Sequence, residues 1–105
     1  MFLPPEAMPF AAVDAQALFQ VRRDFLIWRN RNRPIPTHVD NAIRKVLDGI
    51  STTLNTQLGD QVAWNAAVAN LRSELRFIDL LYTSYPGFQA FANQQASFLA
   101  GRGVL

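Results

Sequence analysis

A heptad-like repeat near the middle of the chain constrains the fold more than any other feature. Between residues 60 and 82, apolar side chains recur at alternating steps of four and three residues: Trp64, Val68, Leu71, Leu75, Ile78 and Tyr82. This spacing places them on one face of an α-helix of roughly five turns. A long helix with one such seam packs nearly antiparallel to its neighbours. The repeat therefore predicts a helical bundle.

The first predicted helix runs from about Phe10 to about Asn32. Its apolar face is formed by residues at steps of three, four and three, namely Leu18, Val21, Phe25 and Trp28. Pro34 and Pro36 are expected to end this helix, because proline disfavours helical geometry in the residue before it. The chain after this point must therefore turn before a second helix begins.

The second predicted helix starts at Thr37, whose hydroxyl is expected to cap it, with Asp40 three residues further on. Gly49 lies inside the pattern and costs about 1 kcal/mol relative to alanine. Because the apolar positions continue on both sides of this glycine, we predict one continuous helix that Gly59 ends. The apolar positions are Val39, Ile43, Val46, Leu47, Ile50, Leu54 and Leu58.

Asp60 is expected to cap the third helix, and Tyr85-Pro86-Gly87 separates this helix from a shorter fourth one that ends at Gly101. The fourth helix presents Phe88, Phe91, Ala92, Gln95 and Leu99. No window alternates apolar and polar residues as a strand would. The predicted fold is all-α: a small bundle of three long helices and one short C-terminal helix. Residues 10–105 form its single domain, preceded by an extended proline-rich arm.

The predicted arm, residues 1–9, combines three prolines with apolar side chains, which include Phe2, Leu3 and Met8. Proline favours an extended conformation here, and so much apolar surface is expected to lie on protein. Two interpretations stay open: the arm folds back over its own bundle, or it reaches into a neighbouring subunit. The arm has no basic start typical of a secretory signal, so we expect a soluble, cytoplasmic protein.

Composition disfavours most kinds of chemistry. The chain has no cysteine and one histidine, His38, which is too little for a metal site of the usual type. Its carboxylates are scattered along the sequence, and no phosphate-binding or dinucleotide-binding glycine motif occurs. No apolar run approaches the roughly 18 residues of a membrane-spanning helix. We therefore expect no catalytic residues, no cofactor, no metal and no membrane partner.

Arginine is concentrated in the stretch RRDFLIWRNRNRP, residues 22–34. The wider segment 22–45 carries a net charge of +5, while the rest of the chain carries −3. On a helical wheel, Arg22, Arg29 and Arg33 border the apolar face, whereas Arg23 and Arg31 point elsewhere. Three interpretations remain open: solvated residues at a helix end, anchors of a protein interface, or contacts to nucleic acid.

Low charge favours assembly with neighbouring chains. Only 17% of the residues are charged, against about 25% in typical domains, and alanine, asparagine and glutamine are abundant instead. Together with the apolar arm, this composition predicts a non-enzymatic structural or assembly protein that binds itself or other protein subunits, for instance a virion or phage component. The alternative is a nucleic-acid-binding adaptor that uses segment 22–45. The candidate contact residues are Arg22, Arg29, Arg31, Arg33, Trp28, Phe2, Leu3 and Met8.

Overall fold

The computed structural model describes residues 11–56 and 61–105 and confirms the predicted all-α bundle. Four helices follow one another along the chain: α1 (Ala11–Arg31), α2 (Thr37–Asn55), α3 (Gln61–Leu81) and α4 (Pro86–Gly101). The first three contain 21, 19 and 21 residues and the last contains 16, so the predicted order of long and short helices is correct. Helix α1 agrees with its predicted bounds to within one residue at each end.

The helices are arranged up, down, up and down. Helix α2 packs between α1 and α3, α3 packs against α4, and α4 returns to α1. Arg29, near the end of α1, pairs with Asp40, near the start of α2. Tyr82, directly after α3, donates a hydrogen bond to the backbone carbonyl of His38 at the start of α2. Short connections make such antiparallel neighbours the expected topology of a four-helix bundle.

The heptad-like repeat of α3 lies in the core, as its spacing predicted. We call this set the inner seam. Five of its six side chains are buried, and only Tyr82 at the end is partly exposed. The buried residues of the inner seam form one hydrophobic core with fully buried residues of the other helices, which are Leu18, Val21, Phe25, Ile43, Val46, Ile50, Ala92 and Leu99. Burial of these side chains supplies most of the free energy that holds the bundle together.

Helix α2 runs unbroken through Gly49, which confirms the prediction of one continuous helix. A Cβ atom at this position would lie 2.9 Å from Oε2 of Glu74 and 3.4 Å from Cδ1 of Leu71. The missing side chain therefore leaves a notch in α2 that the carboxylate of Glu74 occupies. This close approach gives a physical reason for a glycine inside a helix, where it otherwise costs about 1 kcal/mol.

Both predicted ends of α2 were wrong in detail. The N-cap residue is Pro36, without a side-chain hydrogen bond, and Thr37 is already helical, so its hydroxyl is not in the capping position. At the other end the helix stops at Asn55, before Gly59, which lies outside the described residues. The backbone N–H of Thr56 bonds to the carbonyl of Thr53, which is the tight closure typical of a last helical turn.

Aromatic side chains hold one end of the bundle together. Trp28 of α1 stacks on Phe91 of α4 with ring centroids 5.6 Å apart, and it lies 5.1 Å from Phe88. Phe25 meets Phe91 edge to face at 4.8 Å, and Tyr82 meets Phe88 in the same way at 5.2 Å. Such pairs contribute roughly 0.5–1.5 kcal/mol each beyond their burial. This cluster brings α1, α4 and the end of α3 into register.

Candidate protein-interaction surface

The solvent-facing side of α3 carries a second apolar stripe. Its residues are separated by steps of four, three, four, four and three, and every one of them is exposed: Val62, Ala66, Ala69, Ser73, Phe77 and Leu80. We call this set the outer stripe. At about 100° per residue it spans an arc of roughly 80°, directly opposite the inner seam. Val62 is 75% exposed, Phe77 59% and Leu80 60%, so three large apolar side chains face solvent along one line.

No charged residue interrupts the outer stripe. The four charged residues of α3, Arg72, Glu74, Arg76 and Asp79, all lie to either side of it or near the inner seam. A helix that is apolar on opposite faces is normally covered on both. In the described bundle only the inner face is covered, so the outer stripe is a candidate surface for contact with protein.

Sequence reasoning missed the outer stripe, although its signal was present. The same steps of three and four that revealed the inner seam also connect Val62 to Leu80. The larger side chains of the inner seam dominate the same segment and obscure the weaker repeat. Ala66, Ala69 and Ser73 also weaken the pattern, because small residues are common on solvated helices.

A groove of about 610 Å³ between α2 and α3 continues the apolar surface. Phe77 of the outer stripe and Leu81, which is 68% exposed, form one of its edges. Ala42 and Ile78 contribute further apolar surface, and the polar residues of the groove are His38, Asn41, Lys45, Glu74 and Tyr82. The exposed apolar surface of α3 therefore widens towards α2 at the C-terminal end of the helix.

Glu74 lies in this groove in an unfavourable environment for a charge. Burial raises the pKa of Glu74 above its usual value of 4.5, Asp48 raises it further, and Lys45 partly lowers it. Its Oε2 atom is buried against Gly49 and has no hydrogen-bond partner among the described residues. A carboxylate without a partner is costly to bury, so Glu74 reduces the stability of the bundle when it is ionised.

The structure separates the predicted arginines. Arg22 and Arg31 are exposed on α1, and Arg33 is exposed in the connection to α2. Only Arg29 is partly buried, and its Nε lies 2.7 Å from Oδ1 of Asp40. Arg29 of α1 is thus held by a carboxylate of α2.

Asp40 also accepts a second arginine. Nε of Arg44 lies 3.1 Å from the other carboxylate oxygen. The carboxylate of Asp40 therefore contacts two guanidinium groups, one from α1 and one from α2. Arg29, Arg33 and Arg44 line an open cleft of about 760 Å³ around Asp40 at the start of α2. Three positive charges around one negative charge leave this cleft basic.

The remaining predicted contact residues have different outcomes. Trp28 is partly buried in the aromatic cluster, where it packs α1 against α4, and it is not an exposed anchor. Phe2, Leu3 and Met8 lie outside the described residues.

Within residues 11–56 and 61–105, no group of three or more histidine, aspartate or glutamate side chains could hold a metal ion. Over the same ranges, none of the helices has the length and apolar character needed to cross a membrane.

Comparisons with known protein families, with curated proteins and with solved structures gave no match. The fold itself is a four-helix up-down bundle, and its outer stripe is the feature that most sets its surface apart.

Proposed function

We propose that this protein acts by binding protein, as a structural or assembly subunit of a homo-oligomer or of a larger complex. One observation carries the proposal: α3 has apolar seams on opposite faces, and the outer one is exposed along the whole helix. An assembly role also accords with the low charged fraction of the chain. Small components of virions or phages are one setting in which such a subunit would work.

Burial of the outer stripe would give a useful free energy of association. Full burial of a leucine or phenylalanine is worth about 1.5–3 kcal/mol, and roughly 60% of Phe77 and of Leu80 is still exposed. Covering these two side chains and Leu81 would thus contribute roughly 3–5 kcal/mol per copy before the cost of association. Such a surface supports reversible binding better than permanent assembly.

The test is the mass of the protein in solution as a function of concentration. We expect the weight-average mass to rise above that of one chain between about 1 µM and about 1 mM, the range of weak interfaces. Removal of residues 1–9 determines whether the arm contributes. A single-chain mass at every concentration, for both forms of the protein, would contradict self-association.

A nucleic-acid-binding adaptor remains the second candidate, because Arg29, Arg33 and Arg44 line one basic cleft. Asp40 counts against it, since it already engages two of these guanidinium groups. The two functions differ in their response to salt. Phosphate contacts give an affinity for DNA or RNA that falls steeply as salt rises, and replacement of Arg33 and Arg44 by glutamine should abolish it. Absence of binding at about 50 mM salt would remove this candidate.

A further inference from the structure

The order of small and large residues along the outer stripe fits a second copy of itself that runs in the opposite direction. From its N-terminal end the outer stripe has one large residue, three small ones and two large ones. When two such stripes are laid antiparallel, the pairs that face each other are Val62 with Leu80, Ala66 with Phe77, and Ala69 with Ser73. Each phenylalanine then meets an alanine, and the smallest residues meet at the centre.

A parallel pair would be less favourable. It would place Phe77 against Phe77 of the second copy and Ala66 against Ala66. The bulky layer would then hold the helices apart and leave gaps at the alanine layers, because contact side chains set the interaxial distance of 8–10 Å. In the antiparallel pair the helices approach most closely at Ala69 and Ser73 and diverge towards both ends. This is the geometry of two straight helices that cross at a small angle.

We propose that α3 pairs with α3 of a second copy in antiparallel orientation, about a two-fold axis that passes between Ala69 and Ser73. This inference rests on the proposed function and names the partner. A two-fold axis requires one surface to complement itself, and the size pattern of the outer stripe does so. The pairing joins two four-helix bundles side by side through their α3 helices.

The area of this contact makes the dimer weak and reversible. A helix of 21 residues is about 31 Å long and about 10 Å wide, so the strip buries roughly 300 Å² per copy. Stable interfaces bury about 800 Å² per partner. Leu81 and the apolar edge of the groove enlarge the contact at the C-terminal end of α3. The dimer therefore forms in a concentration-dependent manner.

The charges beside the outer stripe determine how salt affects the dimer. Arg72, Arg76 and Asp79 lie on the side of α3 that faces away from Glu74, and a two-fold axis brings this side of one copy against the same side of the other. Arg72 is nearest to the axis and Asp79 is furthest from it, so the closest charges across the contact are the two copies of Arg72. Like charges then approach each other, and the Debye length falls from about 10 Å at 0.1 M salt to about 3 Å at 1 M. Added salt strengthens this dimer, which is opposite to its effect on phosphate binding.

The first experiment places a charge at the centre of the outer stripe. Ala69→Lys should weaken the dimer by at least about 100-fold in Kd, because the ammonium group would be buried without a partner beside the arginines of both copies. The matched control is Ala90→Lys, since Ala90 is exposed on the side of α4 opposite its buried face. Both variants should keep the wild-type helicity in circular dichroism, and only the first should lose concentration-dependent mass in sedimentation equilibrium. Equal association of the two variants would overturn the proposal, and so would a monomeric wild type.

The second experiment determines the orientation, and the lack of cysteine makes it direct. Ala69→Cys is mixed with a tagged Ser73→Cys, and mild oxidation should link the two variants. Ala66→Cys alone should not link to itself, because antiparallel pairing separates the two copies of residue 66 by about 16 Å along the helix. Self-linking of Ala66→Cys would show parallel pairing. That result, or a dimer that depends on residues 1–9 and not on Ala69, overturns this inference but leaves the assembly function standing.

Discussion

Gly49→Ala is expected to stabilise the bundle, although a new Cβ would lie only 2.9 Å from Oε2 of Glu74. Alanine is favoured over glycine inside a helix by about 0.8–1.0 kcal/mol. The contact opposes this gain, but the carboxylate is the mobile end of a side chain in an open groove and can rotate towards solvent. Leu71 at 3.4 Å has only to shift slightly.

The expected net effect is therefore a gain of about 0.5–1 kcal/mol in the free energy of unfolding. This corresponds to a rise in Tm of about 2–8 °C for a domain of this size. Urea denaturation followed by circular dichroism measures the change, with an unchanged slope as evidence that the transition is still two-state. Because rotation exposes the carboxylate, the pKa of Glu74 should also fall back towards 4.5.

A double-mutant cycle with Glu74→Ala isolates the role of the carboxylate. Without Glu74 the notch is empty, so the same Gly49→Ala change should give the full gain of about 1 kcal/mol. The difference between the two gains is the cost of displacing the carboxylate. An identical gain in both backgrounds would show that Glu74 does not occupy the notch in solution. A loss of stability on Gly49→Ala would show that the groove cannot accommodate the rotated side chain.

Three further substitutions test the described contacts. Burial and Asp48 raise the pKa of Glu74, so the free energy of unfolding of the wild type should fall as pH rises from about 4.5 through the raised pKa. Urea denaturation at several pH values measures this slope, and Glu74→Gln should remove it. An unchanged slope in the variant would assign the pH dependence to another group. Asp40→Ala breaks the bridge between α1 and α2 and should cost about 1.5–3 kcal/mol, whereas Arg44→Ala, whose side chain is 64% exposed, should cost less than about 1 kcal/mol. Equal losses in thermal denaturation would contradict the greater role assigned to Arg29.

Periodicity was enough to predict the number, order and approximate bounds of the helices. The inner seam repeats over about five turns, and a strand or a loop would not space apolar residues at steps of three and four over that length. Pro34 and Pro36 marked a helix end through a local steric rule, which operates regardless of the rest of the fold. These features depend on neighbours in the sequence, so the sequence alone reveals them.

Contacts between helices could not be predicted in the same way. A helical wheel placed Arg29 beside the apolar face, but only the register of α1 against α2 makes Asp40 its partner. The notch at Gly49 has the same origin, because Glu74 is 25 residues away in sequence and meets it only through the register of α2 and α3. The cap at Thr37 failed for a local reason. Pro36 takes the N-cap position, so α2 begins at Thr37, one residue earlier than capping by the Thr37 hydroxyl would require.

The two apolar faces of α3 also show why one of them became the core. Spacing alone favours neither, since both follow steps of three and four residues. The inner seam holds a tryptophan, two leucines and an isoleucine, whereas half of the outer stripe is alanine or serine, so the bundle buries more apolar surface by closing on the inner seam. The smaller residues of the outer stripe also limit how much area a contact through it can bury. An outer stripe with side chains as large as those of the inner seam would favour permanent association or aggregation, but small residues at its centre allow close approach while keeping the buried area low. The composition of the outer stripe thus favours an assembly contact that can form and dissociate.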